Sequence, residues 1–104
     1  ITLPSSLAEA WFYTKLLVIN GSAINVEKSL KGEPFSEDEL YDFSYEDMGF
    51  FTNSNGQFSP KHIKFLRLIM RSSYPKQLTS VVGYEKLTCD LKEIIKQSAT
   101  MHKA

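Results

Sequence analysis

The segment "SPKHIKFLRLIMRS", residues 59–72, narrows most what this chain can fold into. Ser followed by Pro marks a helix start: the serine sits at the cap, and the proline ring has the φ that the first helical position needs. From Pro60 to Ser72 the side chains separate by type. At 100° per residue, Ile63, Phe65, Leu66, Ile69 and Met70 share one broad side. Lys61, Lys64, Arg67 and Arg71 share the other, at spacings of three, three and four, with Leu68 as the one apolar residue inside the basic arc. Ser73-Tyr74-Pro75 breaks the run. A helix with one apolar side has to bury it against other elements, which predicts a helix-on-helix core.

Two further segments supply partners. Ser6-Leu7-Ala8-Glu9 is a capping-box pattern. The helix it opens carries Ala10, Trp11, Phe12, Leu16, Leu17, Val18 and Ile19 around most of its circumference, and only Glu9 and Lys15 clearly prefer water. This predicts a central, buried helix, stopped by the left-handed Asn20-Gly21. After Pro75 the pattern fits a short helix ending at Gly83. A last helix starts near Tyr84, with Tyr84, Leu87, Leu91, Ile94 and Ile95 on an arc of about 100°.

The residues from Asn25 to Phe51 are polar, acidic and interrupted by Gly32, Pro34 and Gly49. A connection this long inside a small domain folds on itself, binds something, or is a relic. Glu39–Ser44 and Met48–Thr52 are candidate short strands, and Asn53-Ser54-Asn55-Gly56 is a turn signal. The expected fold is therefore mainly α: a small bundle of about four helices, with an irregular or short β-hairpin excursion between the first and second long helices. Its 104 residues fit a single helical domain over 1–104. A chain that begins at Ile1 rather than Met is expected to be a fragment of a longer protein.

Composition excludes several classes. No apolar run approaches the ~20 residues of a membrane span, and the start lacks a signal-peptide pattern. The single cysteine, Cys89, builds neither a disulfide framework nor a cysteine zinc site, so a cytoplasmic setting is expected and Cys89 reads as a small residue on a helix flank. The formal net charge is zero, but the charges are segregated. Eight acids and two lysines lie between Glu27 and Asp47, whereas Lys61–Lys76 holds five basic residues and no acid. Such a division steers charged partners even though the sum vanishes.

Catalytic chemistry has no visible seat. His62 lies on the basic helix and His102 near the end of the chain; both read as surface residues. Neither a phosphate-binding glycine loop nor a nucleophile elbow is present. Glu37-Asp38-Glu39 lacks the alternating ligands of a calcium loop and reads as a solvated turn. The chain is expected to be no enzyme, with no cofactor and no metal. The cations Lys61, Lys64, Arg67 and Arg71 are the candidate binding residues. A plain solvent face is the competing account, although a run of one sign forgoes the stabilisation that mixed signs give a helix. The anion they suit is nucleic-acid phosphate or the acidic tail of a protein.

The order of the segments "FYTKLLVINGSAINVEKSLKG", "DELYDFSYEDMGFF" and "SPKHIKFLRLIM" resembles the C-terminal helical domain of the bacterial recombination mediator RecO. Gly32, the string Leu40-Tyr41-Asp42-Phe43, Gly49-Phe50-Phe51 and Phe65-Leu66-Arg67-Leu68 carry the likeness, which covers roughly Ala8 to Met70. The family's two cysteine pairs would fall at Lys28 and Lys31 and near Thr52 and Asn55, and none of these is cysteine. The resemblance thus implies a variant that has lost the zinc and kept the excursion, held by Phe35, Leu40, Tyr41, Phe43, Phe50 and Phe51 packing on the helices. It further implies a role in DNA repair and recombination beside an N-terminal OB domain. The implied partners are DNA, RecR and the acidic, Phe-ending tail of single-stranded DNA-binding protein, with Lys61, Lys64, Arg67 and Arg71 as the contact surface. Two readings compete: a helical protein-interaction adaptor unrelated to DNA, and a small enzyme or metal protein.

Overall fold

A computed structural model describes residues 5–101. The chain runs through α1 (Ser5–Ile19), β1 (Tyr41–Ser44), β2 (Gly49–Thr52), α2 (Pro60–Arg71), a 3-10 helix (Pro75–Ser80) and α3 (Tyr84–Met101). This is the expected mainly helical domain, with its hairpin between the first two long helices.

α1 begins earlier than its capping pattern implies. Ser5 is already helical, so Ser6 lies inside the helix. Its end is as expected: Gly21 takes φ 75°, Ser22 N–H donates to the Leu17 carbonyl at 2.8 Å and Gly21 N–H to Val18 at 3.1 Å. That pair of bonds satisfies two of the carbonyls a helix end leaves open.

The expectation that α1 is buried all round is corrected. It buries one stripe, Leu7, Ala10, Thr14 and Leu17, chiefly against α3 and less against α2. Phe12 is 53% exposed and Ile19 77%. A domain of this size has too few elements to wrap a helix on every side, and the hairpin does not cover this face. Lys15, expected in water, instead donates to the Met70 carbonyl at 2.7 Å, and Trp11 Nε1–H donates to Ser72 Oγ at 3.1 Å. Both bonds hold α1 to the C-terminal end of α2, where open carbonyls and the helix dipole favour a cation.

On α2 the inner side is as read: Ile63, Phe65, Leu66 and Ile69 are buried. α3 buries Leu91, Ile94 and Ile95, and adds the small residues Thr88, Ser98 and Ala99.

The excursion is folded rather than loose. β1 and β2 pair antiparallel with Phe43 opposite Phe50, and Tyr41 makes a second pairing with Phe58. Asn25 N–H donates to the Met48 carbonyl at 2.8 Å and Leu30 N–H to Phe50 at 2.9 Å, so the preceding loop is bonded to the hairpin. Aromatic rings fill the centre: Phe50 meets Phe35, Phe43 and Phe58 edge to face, at centroid distances of 6.3, 5.2 and 5.7 Å. Tyr41 and Phe50 are buried as expected, but Leu40 and Phe51 point outward and are 40% and 37% exposed.

Candidate ligand groove on the second long helix

The basic side of α2 divides. Lys61, Lys64 and Arg71 are exposed, whereas Arg67 is half-buried. Its guanidinium donates to the Val26 carbonyl, and its buried Nε has no partner among the described residues. Arg67 lies at the edge of the basic arc, where α2 faces residues 24–26 of the excursion. Ile24 and Val26 are core residues there. A buried carbonyl needs a donor, and the guanidinium supplies one. The four cations therefore do not form one outward face. Three look out, and the fourth fastens the excursion to the helix.

Leu68, the apolar residue inside the basic arc, is 44% exposed. It is shared by two shallow cavities. One, of roughly 360 Å³, is lined by Lys61, Lys64, Leu68, Val81, Val82 and Leu87. The other, of roughly 290 Å³, is lined by Leu68, Arg71, Ser72, Gln77, Leu78 and Val81, among others. Because Leu68 and Val81 line both, the two form one groove between α2 and the connection to α3. Its floor is aliphatic and its α2 wall carries Lys61, Lys64 and Arg71. Each half is at the small end of ligand sites, large enough for one or two side chains. Among the described residues no carboxylate lines either half.

A further cavity, of roughly 270 Å³, lies on the other flank of α2 beside Arg67, with Pro34, Phe35 and Ile63 on its walls. It also holds Glu27 and Glu37, so an anion there would meet like charge. The groove at Leu68 is the better anion site.

Lys64 stands between the two flanks. Its ammonium is 3.1 Å from Glu37 Oε1, in a pair whose side chains are 62% and 80% exposed. Glu37 belongs to the acidic run read as a solvated turn, and Asp38 and Glu39 are exposed beside it.

His62 is not the surface residue expected. Its side chain is 13% exposed. Ser59 N–H donates to Nδ1 at 3.0 Å, and Ser59 Oγ is 3.1 Å from the same nitrogen. An acceptor role at Nδ1 puts the ring proton on Nε2, which is 2.8 Å from Asp90 Oδ2. Lys86 bonds the other Asp90 oxygen at 3.0 Å. These hydrogen bonds, that from His62 first, hold the Asp90 carboxyl below its ordinary range, against a smaller opposing effect of burial. The cluster joins the start of α2 to α3. Since the single acceptor lone pair of Nδ1 already takes a backbone N–H, the imidazole is poorly placed to act as a base toward Ser59. His102 lies outside the described residues.

Cys89 is exposed on α3, as read. Among the described residues no three His, Cys, Asp or Glu side chains gather as a metal site, and no helix is long and apolar enough to cross a membrane. Positions 28, 31, 52 and 55, where the resemblance would put cysteine pairs, are all exposed.

No family model matches this chain, and neither a curated protein nor a solved structure is found to be similar to it. The site rests on its own geometry. Sequence reasoning missed the valines Val81 and Val82, which precede Gly83 in a non-helical connection and belong to no periodic pattern. Its one available signal was Leu68 among the cations.

Proposed function

We propose that this chain is a non-catalytic binding domain that captures a short acidic segment of a partner protein in the groove at Leu68. By the resemblance to RecO, the partner is the acidic, Phe-ending tail of single-stranded DNA-binding protein, and the setting is DNA repair and recombination. The observation that carries this reading is an exposed leucine, in an acid-free aliphatic groove, with Lys61, Lys64 and Arg71 on one wall. An apolar side chain next to carboxylates fits such a surface, since burial supplies affinity and the cations supply orientation and on-rate.

DNA is the weaker ligand for the isolated domain. Three outward cations neutralise about three phosphates, which sets a shallow salt dependence and a low affinity. Glu37, exposed beside Lys64, would also repel the same backbone.

Fluorescence anisotropy with a labelled peptide, Asp-Asp-Asp-Leu-Phe with a free carboxylate, tests the proposal. Substituting Lys61, Lys64 and Arg71 together by Glu should weaken binding at least tenfold, and raising salt should weaken the wild type. Leu68→Asp should abolish binding while circular dichroism shows the variant folded, because the residue is already 44% exposed. Equal binding by all variants would sink the groove as the site.

The exposed acidic excursion favours a second reading, an adaptor whose acids meet a basic protein outside DNA repair. A pull-down recovering proteins that still bind after Leu68→Asp, but not after neutralisation of the acids, would select it.

A further inference from the structure

We infer that Glu37 is a competitor built into the proposed groove: its carboxylate occupies Lys64 and has to leave before an anionic ligand can take that lysine fully. The inference rests on the groove being the binding site, and it adds a residue that sets the affinity there.

The geometry separates a fixed base from a free carboxylate. Residues 36–39 form a turn, with Glu39 N–H donating to the Ser36 carbonyl at 3.2 Å and Asp38 N–H to Ser36 Oγ at 3.3 Å. The turn is anchored because Ser36 N–H donates to the Tyr41 hydroxyl at 2.9 Å. Tyr41 is itself buried, with Phe35 edge-on at 5.2 Å. An anchored turn holds Glu37 at high local concentration near α2. The carboxylate itself is exposed and makes its bond to Lys64 across 27 positions of sequence.

Lys64 lines the groove with Leu68 and is the lysine that bonds Glu37. It also lines the cavity beside Arg67 and a second Glu37-lined cavity of roughly 320 Å³, at Ser59, Pro60 and Lys61. A ligand carboxylate approaching along the groove therefore meets an ammonium already partly neutralised. The pair is solvent-exposed and monovalent, so it is weak enough to be displaced. Such a pair should lower ligand affinity about two- to fivefold. The acidic excursion thus has a local use: Glu37 is placed on one of the three cations of the basic wall.

The test compares Glu37→Gln with Glu39→Gln. Both remove one negative charge from the same exposed turn, but only Glu37 is bonded to α2 in the structure. The probe is the peptide Asp-Asp-Asp-Leu-Phe, titrated into each folded variant at low and high salt. Glu37→Gln should tighten binding about two- to fivefold relative to Glu39→Gln, with the gap closing at high salt. In a Lys64→Gln background the gain should vanish. If the wild type binds and Glu37→Gln binds no better than Glu39→Gln, the competitor idea fails while the groove stands. Binding by Glu37→Gln alone would support it strongly. If none of the variants binds, both the groove and the competitor are overturned.

Discussion

Replacing Arg67 separates its structural use from the binding role that the helix pattern assigns it. The guanidinium donates to the carbonyl of Val26, a residue only 3% exposed. Arg67→Ala removes a charge-assisted hydrogen bond, leaves a buried acceptor open, and strips an aliphatic stem from beside Phe35 and Ile63. A hydrogen bond to a charged group contributes about 1.5–3 kcal/mol. The same change relieves a buried Nε that lacks a partner, which offsets about 1 kcal/mol. The net loss should be about 0.5–2 kcal/mol. With a urea slope of about 1–1.5 kcal/mol per molar, the midpoint falls by about 1 M. Trp11 is the single tryptophan and bonds Ser72 across the α1–α2 contact, so its fluorescence reports the transition. Arg67→Lys keeps the charge but not the forked donor, and should lose part of that stability. Under conditions where the variants remain folded, peptide binding should change less than twofold. A midpoint within about 0.2 M of wild type, together with binding as weak as in Lys61→Glu, would show that the guanidinium works on the outside and that this account of α2 is wrong.

Two other perturbations probe the frame that positions the groove. A Cβ on Gly56 would clash with the Tyr41 carbonyl oxygen, and that backbone is fixed by its paired bonds with Phe58. Gly56→Ala should therefore cost about 3 kcal/mol or more and lower the thermal midpoint by over about 10 °C; a drop of under about 2 °C would show that the turn can move. The Asp90 carboxyl is held below its ordinary value of 3.8 by His62 and Lys86. A depressed carboxyl stabilises the fold fully above that ordinary value and loses the contribution as pH falls through its lower folded value. Wild-type stability should thus decline more steeply below about pH 4 than that of Asp90→Asn, which lacks the titrating group. Parallel acid-denaturation curves for the two proteins would remove Asp90 from the account.

The helices were legible because their signals are local. Ser59-Pro60 starts α2 and Asn20-Gly21 ends α1 through backbone preferences that neighbours do not alter. The extent of burial was not. Phe12 and Ile19 make α1 look like a central helix, yet whether anything covers them depends on how many elements a chain of this size can bring to that side. Lys15 and His62 were misread for a related reason. Periodicity assigns a polar residue to the water side, but a residue on the border of a face can reach a carbonyl or carboxylate of another element. Here Met70 and Asp90 provide those partners. Arg67 belongs with them: it is the border cation of the basic arc, and the Val26 carbonyl of another element meets it there.

The excursion shows how far such cross-chain satisfaction goes. Its two turns stand where the resemblance would put metal-binding cysteines, and in this chain polar side chains close both. Asn25 Oδ1 accepts from Glu27 N–H at 3.0 Å and from Lys28 N–H at 3.4 Å. Asn53 Oδ1 accepts from Asn55 N–H at 3.0 Å, while Asp42 accepts from Asn53 Nδ2 at 2.6 Å and Gln57 N–H at 3.1 Å. Turn N–H groups that have local acceptors need no ion to organise them. The bonds Asn25–Met48 and Leu30–Phe50 then join the first turn region to the hairpin, and Leu30 fills the space against Gly49. A stretch held in this way keeps a defined shape, and that has a consequence for the groove. Arg67 can be withdrawn from the basic wall because Val26 is fixed, and Glu37 can be held against Lys64 because Ser36 is fixed to Tyr41. The excursion therefore determines which cations of α2 face a ligand, although it contributes no residue to the groove at Leu68.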